Sequence, residues 1–215
     1  MNTYLDGEGG VFMEKSYTKI YTTGATVPLK IRPGHFATNH AHINYYIDVT
    51  TLKARTKEAE EVAQALVGMY LYDTVIDTIV CMEGTEVIGA FLAEELAKGG
   101  FLSTNAHKSI YVISPEFNNN SQIIFRDNLI PMIRDKHVMI LMASVTTGRT
   151  LNKAVESIQY YGGILQGASA IFSAMDSLDG VPIKSVFGKK DLPDYTYSDY
   201  RDCPLCKAGK KIDAL

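Results

Sequence analysis

The 215-residue sequence has no tryptophan, only three cysteines and a formal net charge of -3. Three cysteines are too few for a disulfide framework, and the small net charge gives no electrostatic case for a nucleic-acid-binding surface. No apolar run approaches the length of a bilayer span, and the N-terminal stretch lacks the basic and apolar regions of a signal peptide. We therefore expect a cytoplasmic protein that binds neither nucleic acid nor membranes.

The remaining composition is that of an ordinary globular protein. With 46% hydrophobic and 21% charged residues, the chain can bury one substantial core. The glycine-containing N-terminus shows no clear period, which indicates an arm rather than a packed element. We predict an arm at 1–19 and a single domain at 20–215, the latter consisting of a hood or substrate segment at 20–50, a core at 56–190 and a C-terminal tail at 191–215.

One stretch, Val138–Thr150 (VMILMASVTTGRT), joins a buried-strand pattern to a polar turn and a helix N-terminus. Such a junction presents free backbone N–H groups and the positive end of a helix dipole, so it suits a phosphate. The alternative is a plain strand-to-helix turn with a threonine N-cap. The candidate phosphate-binding residues are Ser144, Val145, Thr146, Thr147, Gly148, Arg149 and Thr150.

A second strand–loop–helix junction follows the strand predicted at Thr78–Met82. Its loop is Glu83, Gly84, Thr85 and Glu86. Strands that alternate with helical segments predict a parallel α/β sheet, in which ligands bind at the carboxyl ends of the strands. Because both loops leave such ends, we expect them to face one cleft.

Three histidines, His35, His40 and His42, fall within eight residues. No cysteine or obvious carboxylate lies at ligand spacing, and His40 and His42 would point to opposite faces of a strand. This pattern favours loop histidines, and we predict no metal site from it. In the tail, Cys203 and Cys206 form a single CxxC pair, which is weak evidence for zinc unless two chains share a site, and reduced structural thiols are the other interpretation.

Several segments, in the same order, resemble the type I phosphoribosyltransferases, and most closely the orotate phosphoribosyltransferases. Val138–Thr150 looks like the family signature for phosphoribosyl pyrophosphate (PRPP), and Gly34–Asp48 is similar to the N-terminal pattern of the family, of which it keeps Gly34, Phe36, Tyr45, Tyr46 and Asp48. The loop after Cys81 occupies the place of the pyrophosphate loop. The CPLCKAG tail recurs at the end of some orotate enzymes, so the resemblance extends roughly from Lys30 to Gly209.

The resemblance implies a central, mainly parallel sheet flanked by helices, with a small N-terminal hood, and a homodimer. It implies transfer of phosphoribose from PRPP to a nucleobase with release of pyrophosphate, as in pyrimidine nucleotide biosynthesis, and Mg²⁺ as cofactor. The 5′-phosphate would bind at Ser144–Thr150 and the pyrophosphate near Glu83–Glu86. The substrate-loop candidates are Asn39, His40, Tyr45, Tyr46 and Arg126.

The sequence departs from the family pattern where the family has two adjacent acids, because this chain has Met142 and Ala143 there. Neither residue can accept a hydrogen bond from a ribose hydroxyl, and both weaken the expectation of magnesium. The Lys- and Gly-rich catalytic loop is replaced by the asparagine-rich segment Phe117–Asn128, which is expected to form a loop or hairpin. No catalytic residue is assigned.

Three hypotheses are therefore compatible with the sequence. The protein is a phosphoribosyltransferase with an atypical site, a catalytically weakened regulator that binds a nucleotide or phosphoribose, or a structural protein that keeps only the fold. The density of donors in the Thr146–Thr150 loop argues against the third hypothesis, and the missing acids argue against ordinary catalysis.

Overall fold

The structure, a computed structural model, describes residues 4–5, 11–12, 17–70, 72–98, 103–106 and 109–214. Most of the predicted arm lies outside these residues. The strands are β1 Tyr4–Leu5, β2 Val11–Phe12, β3 Thr18–Ile20, β4 Leu29–Ala37, β5 His42–Asp48, β6 Thr78–Cys81, β7 Tyr111–Ile113, β8 Glu116–Phe117, β9 Ile123–Ile124, β10 His137–Val145, β11 Ile164–Ser173, β12 Ser177–Leu178, β13 Val181–Gly188 and β14 Tyr197–Ser198. The helices are α1 Thr50–Ala54, α2 Thr56–Val67, α3 Glu86–Lys98, α4 Arg149–Tyr160 and α5 Pro204–Lys207, and Ile130–Met132 forms one 3₁₀ turn.

The central sheet contains six strands in the order β12-β13-β11-β10-β6-β7. All neighbouring pairs are parallel except β12 with β13. Strand β10 lies inside the sheet, and its residues Val138–Met142 are buried. Both faces of this strand are covered, which explains why its sequence is continuously apolar rather than alternating.

Side chains of the central strands alternate between two hydrophobic clusters, one on each face of the sheet. Met139 and Leu141 pack on the face covered by α1, α2 and α3, whereas Ile140 and Met142 pack on the face covered by α4. The amphipathic helices thus close both sides of one sheet. The predicted fold class, a mainly parallel α/β sheet flanked by helices, is confirmed.

A smaller antiparallel sheet, which we call the hood, has the strand order β14-β5-β4-β3. Its apolar side chains, including Leu29 and Phe36, join the cluster that contains α2 and α3. Strand β14 comes from the tail, so the C-terminal residues complete a sheet that the N-terminal half begins. The turn between β4 and β5 is closed by the Thr38 N–H, which donates to the carbonyl oxygen of Ala41 at 2.8 Å.

The asparagine-rich segment forms a short hairpin in which β8 pairs antiparallel with β9. Of the two forms expected for this segment, the structure therefore has the hairpin. Among the residues described, no helix is long and apolar enough to cross a bilayer.

Candidate functional site

The two predicted ligand loops meet at one edge of the central sheet. Strands β6 and β10 are adjacent and parallel, and the Met82 N–H donates to the carbonyl oxygen of Leu141 at 2.8 Å just beyond the last residue of β6. The loop after each strand therefore emerges at the same side, as the parallel topology requires. The Ser144 N–H, near the end of β10, lies 3.4 Å from Glu83 Oε2 and connects the two loops.

A cavity of about 170 Å³, here called the loop cavity, opens at this edge. It is formed by the turn between β4 and β5, by the loop after β6 and by the loop that joins β10 to α4. Its lining residues are Thr38, Asn39, His40, Glu83, Met142, Ser144, Val145, Thr146, Thr147, Gly148, Arg149, Thr150 and Leu151. All seven predicted phosphate-binding residues are thus in one cavity.

Gly148 makes the turn from β10 into α4. Its φ of +74° lies in the left-handed region, which glycine adopts without a steric penalty, and the helix begins at the next residue. The N-cap residue is Gly148, which has no side chain, and the Arg149 N–H donates a long hydrogen bond of 3.5 Å to Thr147 Oγ1. The N-cap position is therefore occupied by glycine and not by the threonine of the alternative interpretation. The other amide groups of the first turn are directed to a ligand or to water.

The Thr146 hydroxyl has a partner from the tail, because its Oγ1 lies 2.9 Å from the Tyr195 hydroxyl. Tyr195 is buried against Phe172, with the two rings edge to face at 5.0 Å. Burial raises the pKa of Tyr195 to about 12, against the opposing effect of the Thr146 hydrogen bond. The phenol therefore keeps its proton at neutral pH, and when it donates to Thr146, the threonine hydrogen is left for a ligand.

Glu83 supplies the negative charge of the loop cavity. Its φ of +58° is left-handed, an arrangement that costs energy for a residue with a side chain and that is common at functional sites. Although the residue as a whole is exposed, its carboxyl end lies against the neighbouring loop. Loss of surrounding water there raises the pKa of Glu83, while hydrogen bonds from the backbone of Ser144 and Ala143 and the charge of Lys53 oppose the rise.

The other three residues of the predicted pyrophosphate loop do not line the loop cavity. The Thr85 hydroxyl is buried and shares its hydrogen between the carbonyl oxygens of Met82, at 2.9 Å, and Leu141, at 3.0 Å. Glu86 accepts a hydrogen bond from the Ser114 hydroxyl at 2.7 Å. Gly84 has a φ of +80° and continues the left-handed turn. Thr85 and Gly84 shape the loop, and Glu83 is the member that faces the cavity.

A second cavity of about 350 Å³, the hood cavity, adjoins the first. The two share four lining residues, and the hood cavity is otherwise mainly apolar and aromatic. Its lining consists of Phe36, Ala37, Thr38, Asn39, Ile43, Tyr46, Ile47, Ser144, Thr146 and Tyr195. A polar, phosphate-sized compartment therefore continues into a larger apolar one.

The substrate-loop candidates separate into two groups. Asn39 and His40 line the loop cavity, and Asn39 and Tyr46 line the hood cavity. Tyr45 packs against the core beside them and lines neither cavity. Arg126 is exposed beside the β8–β9 hairpin, where it forms an ion pair with Glu116, so the structure does not bring it to the site.

Met142 and Ala143 occupy the floor of this region where the family pattern has acids. Met142 is 1% exposed and Ala143 is 5% exposed. The Met142 side chain packs in the apolar cluster beneath α4 and also reaches the loop cavity. At this position the site offers a hydrocarbon and thioether surface in place of carboxylate oxygens.

Sequence reasoning missed three contributors to the site. Thr38 lines both cavities, Tyr195 orients Thr146, and Lys53 donates a hydrogen bond from its ammonium group to the carbonyl oxygen of Glu83. Tyr195 is separated from Thr146 by 49 residues, and Lys53 from Glu83 by 30. No local motif marks these contacts, because they exist only after the chain has folded.

Of the comparisons with known proteins, the one with solved structures finds similarity to this chain. No protein-family model and no curated protein sequence matches the chain. Among solved structures, orotate phosphoribosyltransferase from Mycobacterium tuberculosis, solved with Fe(III) dicitrate, is similar with a TM-score of 0.52 and 15% identity, over 76% of this chain and 92% of that one.

Two further structures share the architecture. A phosphoribosyltransferase from Corynebacterium diphtheriae is similar with a TM-score of 0.52 and 15% identity, over 70% of this chain and 86% of that chain. UMP synthase from Leishmania donovani gives a TM-score of 0.54 and 18% identity, over 76% of this chain and 34% of that longer protein. Together with the parallel sheet, the hood and the two loops at one sheet edge, these similarities establish that the chain has the type I phosphoribosyltransferase fold.

Proposed function

We propose that this protein binds the 5′-phosphate of PRPP or of a nucleotide in the loop cavity and transfers phosphoribose between pyrophosphate and a nucleobase. The observation that carries the proposal is the N-terminus of α4, where Gly148 at the N-cap position offers no side-chain acceptor, inside a cavity lined by four threonines. Backbone amides at a helix start and the helix dipole both favour a phosphate. A relative of the same fold, the orotate phosphoribosyltransferase of Mycobacterium tuberculosis, has been solved in complex with PRPP.

The hood cavity supports a nucleobase as the second part of the ligand. Aromatic and aliphatic walls from Phe36, Ile43 and Tyr46 suit a flat ring, and Asn39 at its border can form hydrogen bonds with the ring edge. The shared border of the two cavities would then hold the ribose. This arrangement supports a base-and-phosphoribose ligand rather than inorganic phosphate alone.

In the transfer, the residues of this chain would act by positioning and charge. The Thr146–Thr150 loop would fix the 5′-phosphate, and the Glu83 carboxylate, when ionised, would lie beside the ribose and stabilise positive charge that develops there. Displacement of pyrophosphate from the ribose C1′ by a ring nitrogen forms the new C–N bond as the C–O bond breaks. Lys53 would support this step indirectly, because it holds the backbone of Glu83.

The cavity can contribute one ligand to the magnesium that the resemblance implies. Magnesium in phosphate-binding sites is usually held by one or two carboxylates together with the phosphates of the ligand. Among the lining residues that the structure describes, Glu83 is the one carboxylate, and Met142 offers no oxygen ligand. Glu83 would therefore hold the ion together with oxygens of the bound PRPP.

A second candidate function is a nucleotide or phosphoribose sensor without turnover. The buried Met142 and Ala143 favour it, because they remove the acceptors that would hold ribose hydroxyls during catalysis. For both functions we propose a homodimer, on the basis of the family resemblance. Light scattering on the purified chain tests this oligomeric state.

Calorimetric titration of the purified protein with PRPP, with and without magnesium, tests the proposal. We expect binding, and an assay of pyrophosphate release with a panel of nucleobases then separates the transferase from the sensor. Arg149→Ala should weaken binding, whereas Arg134→Ala, an exposed arginine that precedes the opposite end of β10, should not. Absence of PRPP and nucleotide binding would refute both functions.

A further inference from the structure

Four nitrogen- and sulfur-bearing side chains converge at the junction of the hood and the tail, and none of them lines the loop cavity. They are His35 in β4, His42 at the start of β5, and Cys203 and Cys206 around the short helix α5. One potential ligand atom from each of the four lies within 4.8 Å of the others. His35 and Cys203 are buried, His42 is half-buried and Cys206 is exposed.

The distances between these atoms match the edges of a metal-centred tetrahedron. With Zn–S and Zn–N bonds of ordinary length, a tetrahedral zinc places its nitrogen ligands about 3.3 Å apart and a nitrogen and a sulfur about 3.6 Å apart. His35 Nε2 lies 3.1 Å from His42 Nδ1, 3.5 Å from Cys203 Sγ and 3.6 Å from Cys206 Sγ. Cys206 Sγ lies 3.3 Å from His42 Nδ1.

The environment of His35 fixes the ring in the form that a metal requires. Its Nδ1 lies 2.8 Å from the carbonyl oxygen of Lys210, and since a carbonyl can only accept, Nδ1 carries the proton and donates. In the neutral ring, Nε2 is then unprotonated and faces both sulfurs. Zinc-bound histidines usually have such a partner, which sets the tautomer and the ring orientation.

The tail is folded so that both sulfurs reach the histidines. Pro204 begins α5 directly after Cys203, and the Gly209 N–H donates to the carbonyl oxygen of Cys206 at 2.9 Å, with the chain reversing at a φ of +71°. The reversal brings Asp213 beside β4, where its carboxylate accepts from the His35 N–H at 2.8 Å and its own N–H donates to the His35 carbonyl at 2.7 Å.

We propose that His35, His42, Cys203 and Cys206 bind one structural Zn²⁺ within a single chain. Two imidazoles and two thiolates in a tetrahedral arrangement are the donor set that favours zinc over harder cations. Four protein ligands leave no open position, so the ion would have a structural role and not a catalytic one. The exposed Cys206 provides a route for the metal to enter.

This site also bears on the loop cavity. His35 and His42 stand at the two ends of the segment that carries Thr38, Asn39 and His40 into that cavity. A metal bound to both histidines and to the two tail cysteines would hold both ends of this segment in place. The sequence alone does not connect the histidines with the CxxC pair, because the cysteines lie 168 and 164 residues from their histidine partners.

Metal analysis of the whole 215-residue chain tests the proposal directly. Protein purified from zinc-supplemented cells without chelator should contain one zinc per chain, and the Cys203→Ser/Cys206→Ser variant should lose it. Cys81→Ala, which removes the third cysteine, and His40→Ala, which removes the neighbouring histidine, are matched controls that should keep the zinc. His42→Ala should lose it.

Two measurements on wild-type protein keep the test decisive if a ligand variant fails to fold. Chelation should lower the melting temperature, and zinc should restore it. Cobalt added to the apoprotein should give the thiolate charge-transfer and intense visible bands of tetrahedral Co²⁺. The proposal would be overturned by zinc-free wild-type protein whose Cys203 and Cys206 are free thiols or a disulfide by mass spectrometry, or by full zinc retention in the double serine variant. None of these measurements depends on whether the protein binds PRPP.

Discussion

The loop that joins β10 to α4 makes Gly148→Ala the most informative single substitution. At the φ of +74° an L-alanine is disfavoured by about 1–2 kcal/mol. The new methyl group would lie 2.9 Å and 3.0 Å from the terminal carbons of Leu178, which can move because they end a side chain. Alanine also has less conformational entropy than glycine in the unfolded chain, which offsets about 0.4–1 kcal/mol of this destabilisation. We expect a net destabilisation of about 1 kcal/mol and a fall in melting temperature of about 2–4 °C.

Gly148→Ala should lower ligand affinity by more than its small effect on the free energy of unfolding suggests. A shift of the Gly148 backbone misaligns the first amides of α4, and loss of one hydrogen bond to a charged group costs about 1.5–3 kcal/mol. Affinity for ribose 5-phosphate, measured by calorimetry, should therefore fall at least about tenfold. A bulkier residue should abolish binding while the fold survives.

Gly24→Ala is the matched control for backbone strain. Gly24 has a φ of +92°, no atom within 4 Å of an added Cβ, and no place in the lining of either cavity. It should lose similar stability and keep wild-type affinity. If Gly148→Ala binds ribose 5-phosphate as tightly as the wild-type protein, the assignment of the phosphate to this loop is wrong.

Three further predictions concern the residues around this loop. Burial raises the pKa of Glu83 above its ordinary value of 4.5, so ionisation of the carboxyl group lowers the stability of the folded protein as pH rises through the raised pKa. The Glu83→Gln variant should therefore have a higher melting temperature than the wild-type protein at neutral pH. This difference should vanish at acidic pH, where Glu83 is protonated in both the folded and the unfolded state. The same variant should bind ribose 5-phosphate about fivefold more weakly than the wild-type protein and should bind inorganic phosphate with unchanged affinity. Equal losses of affinity for the two ligands would refute a contact between Glu83 and the ribose. Tyr195→Phe should cost about 1 kcal/mol in denaturant unfolding, and a double-mutant cycle with Thr146→Ala that shows no coupling would contradict their hydrogen bond. Aspartates at Met142 and Ala143 should raise pyrophosphate release if the protein is a weakened transferase, at a stability cost of a few kcal/mol for burying charge, and no gain would mean that the other loops are also disabled.

The parts of the fold that follow from local pattern could be predicted from the sequence. The apolar run at Val138–Met142 specified a strand covered on both faces, and the glycine and threonines after it specified a turn into a helix. Because two such junctions occur in a parallel sheet, their meeting at one edge followed from topology. The fold class was therefore accessible before any contact was known.

Contacts between distant segments could not be predicted in this way. The family pattern assigned Arg126 to a substrate loop, but its charge is taken up by Glu116 in the local hairpin. Thr85 sits in the predicted pyrophosphate loop, yet its hydroxyl is used by backbone carbonyls. The approach of the two tail cysteines to His35 depends on how the tail packs on the hood, which no local spacing encodes.

Binding of the 5′-phosphate by the Thr146–Thr150 loop is tested most directly by a crystal structure of the protein with ribose 5-phosphate. We expect phosphate oxygens about 3 Å from the backbone nitrogens of Gly148 and Arg149. We also expect the ribose at the border between the loop cavity and the hood cavity. A phosphate bound elsewhere on the protein, with this loop occupied by water alone, would show that the assignment of the phosphate to the loop is wrong.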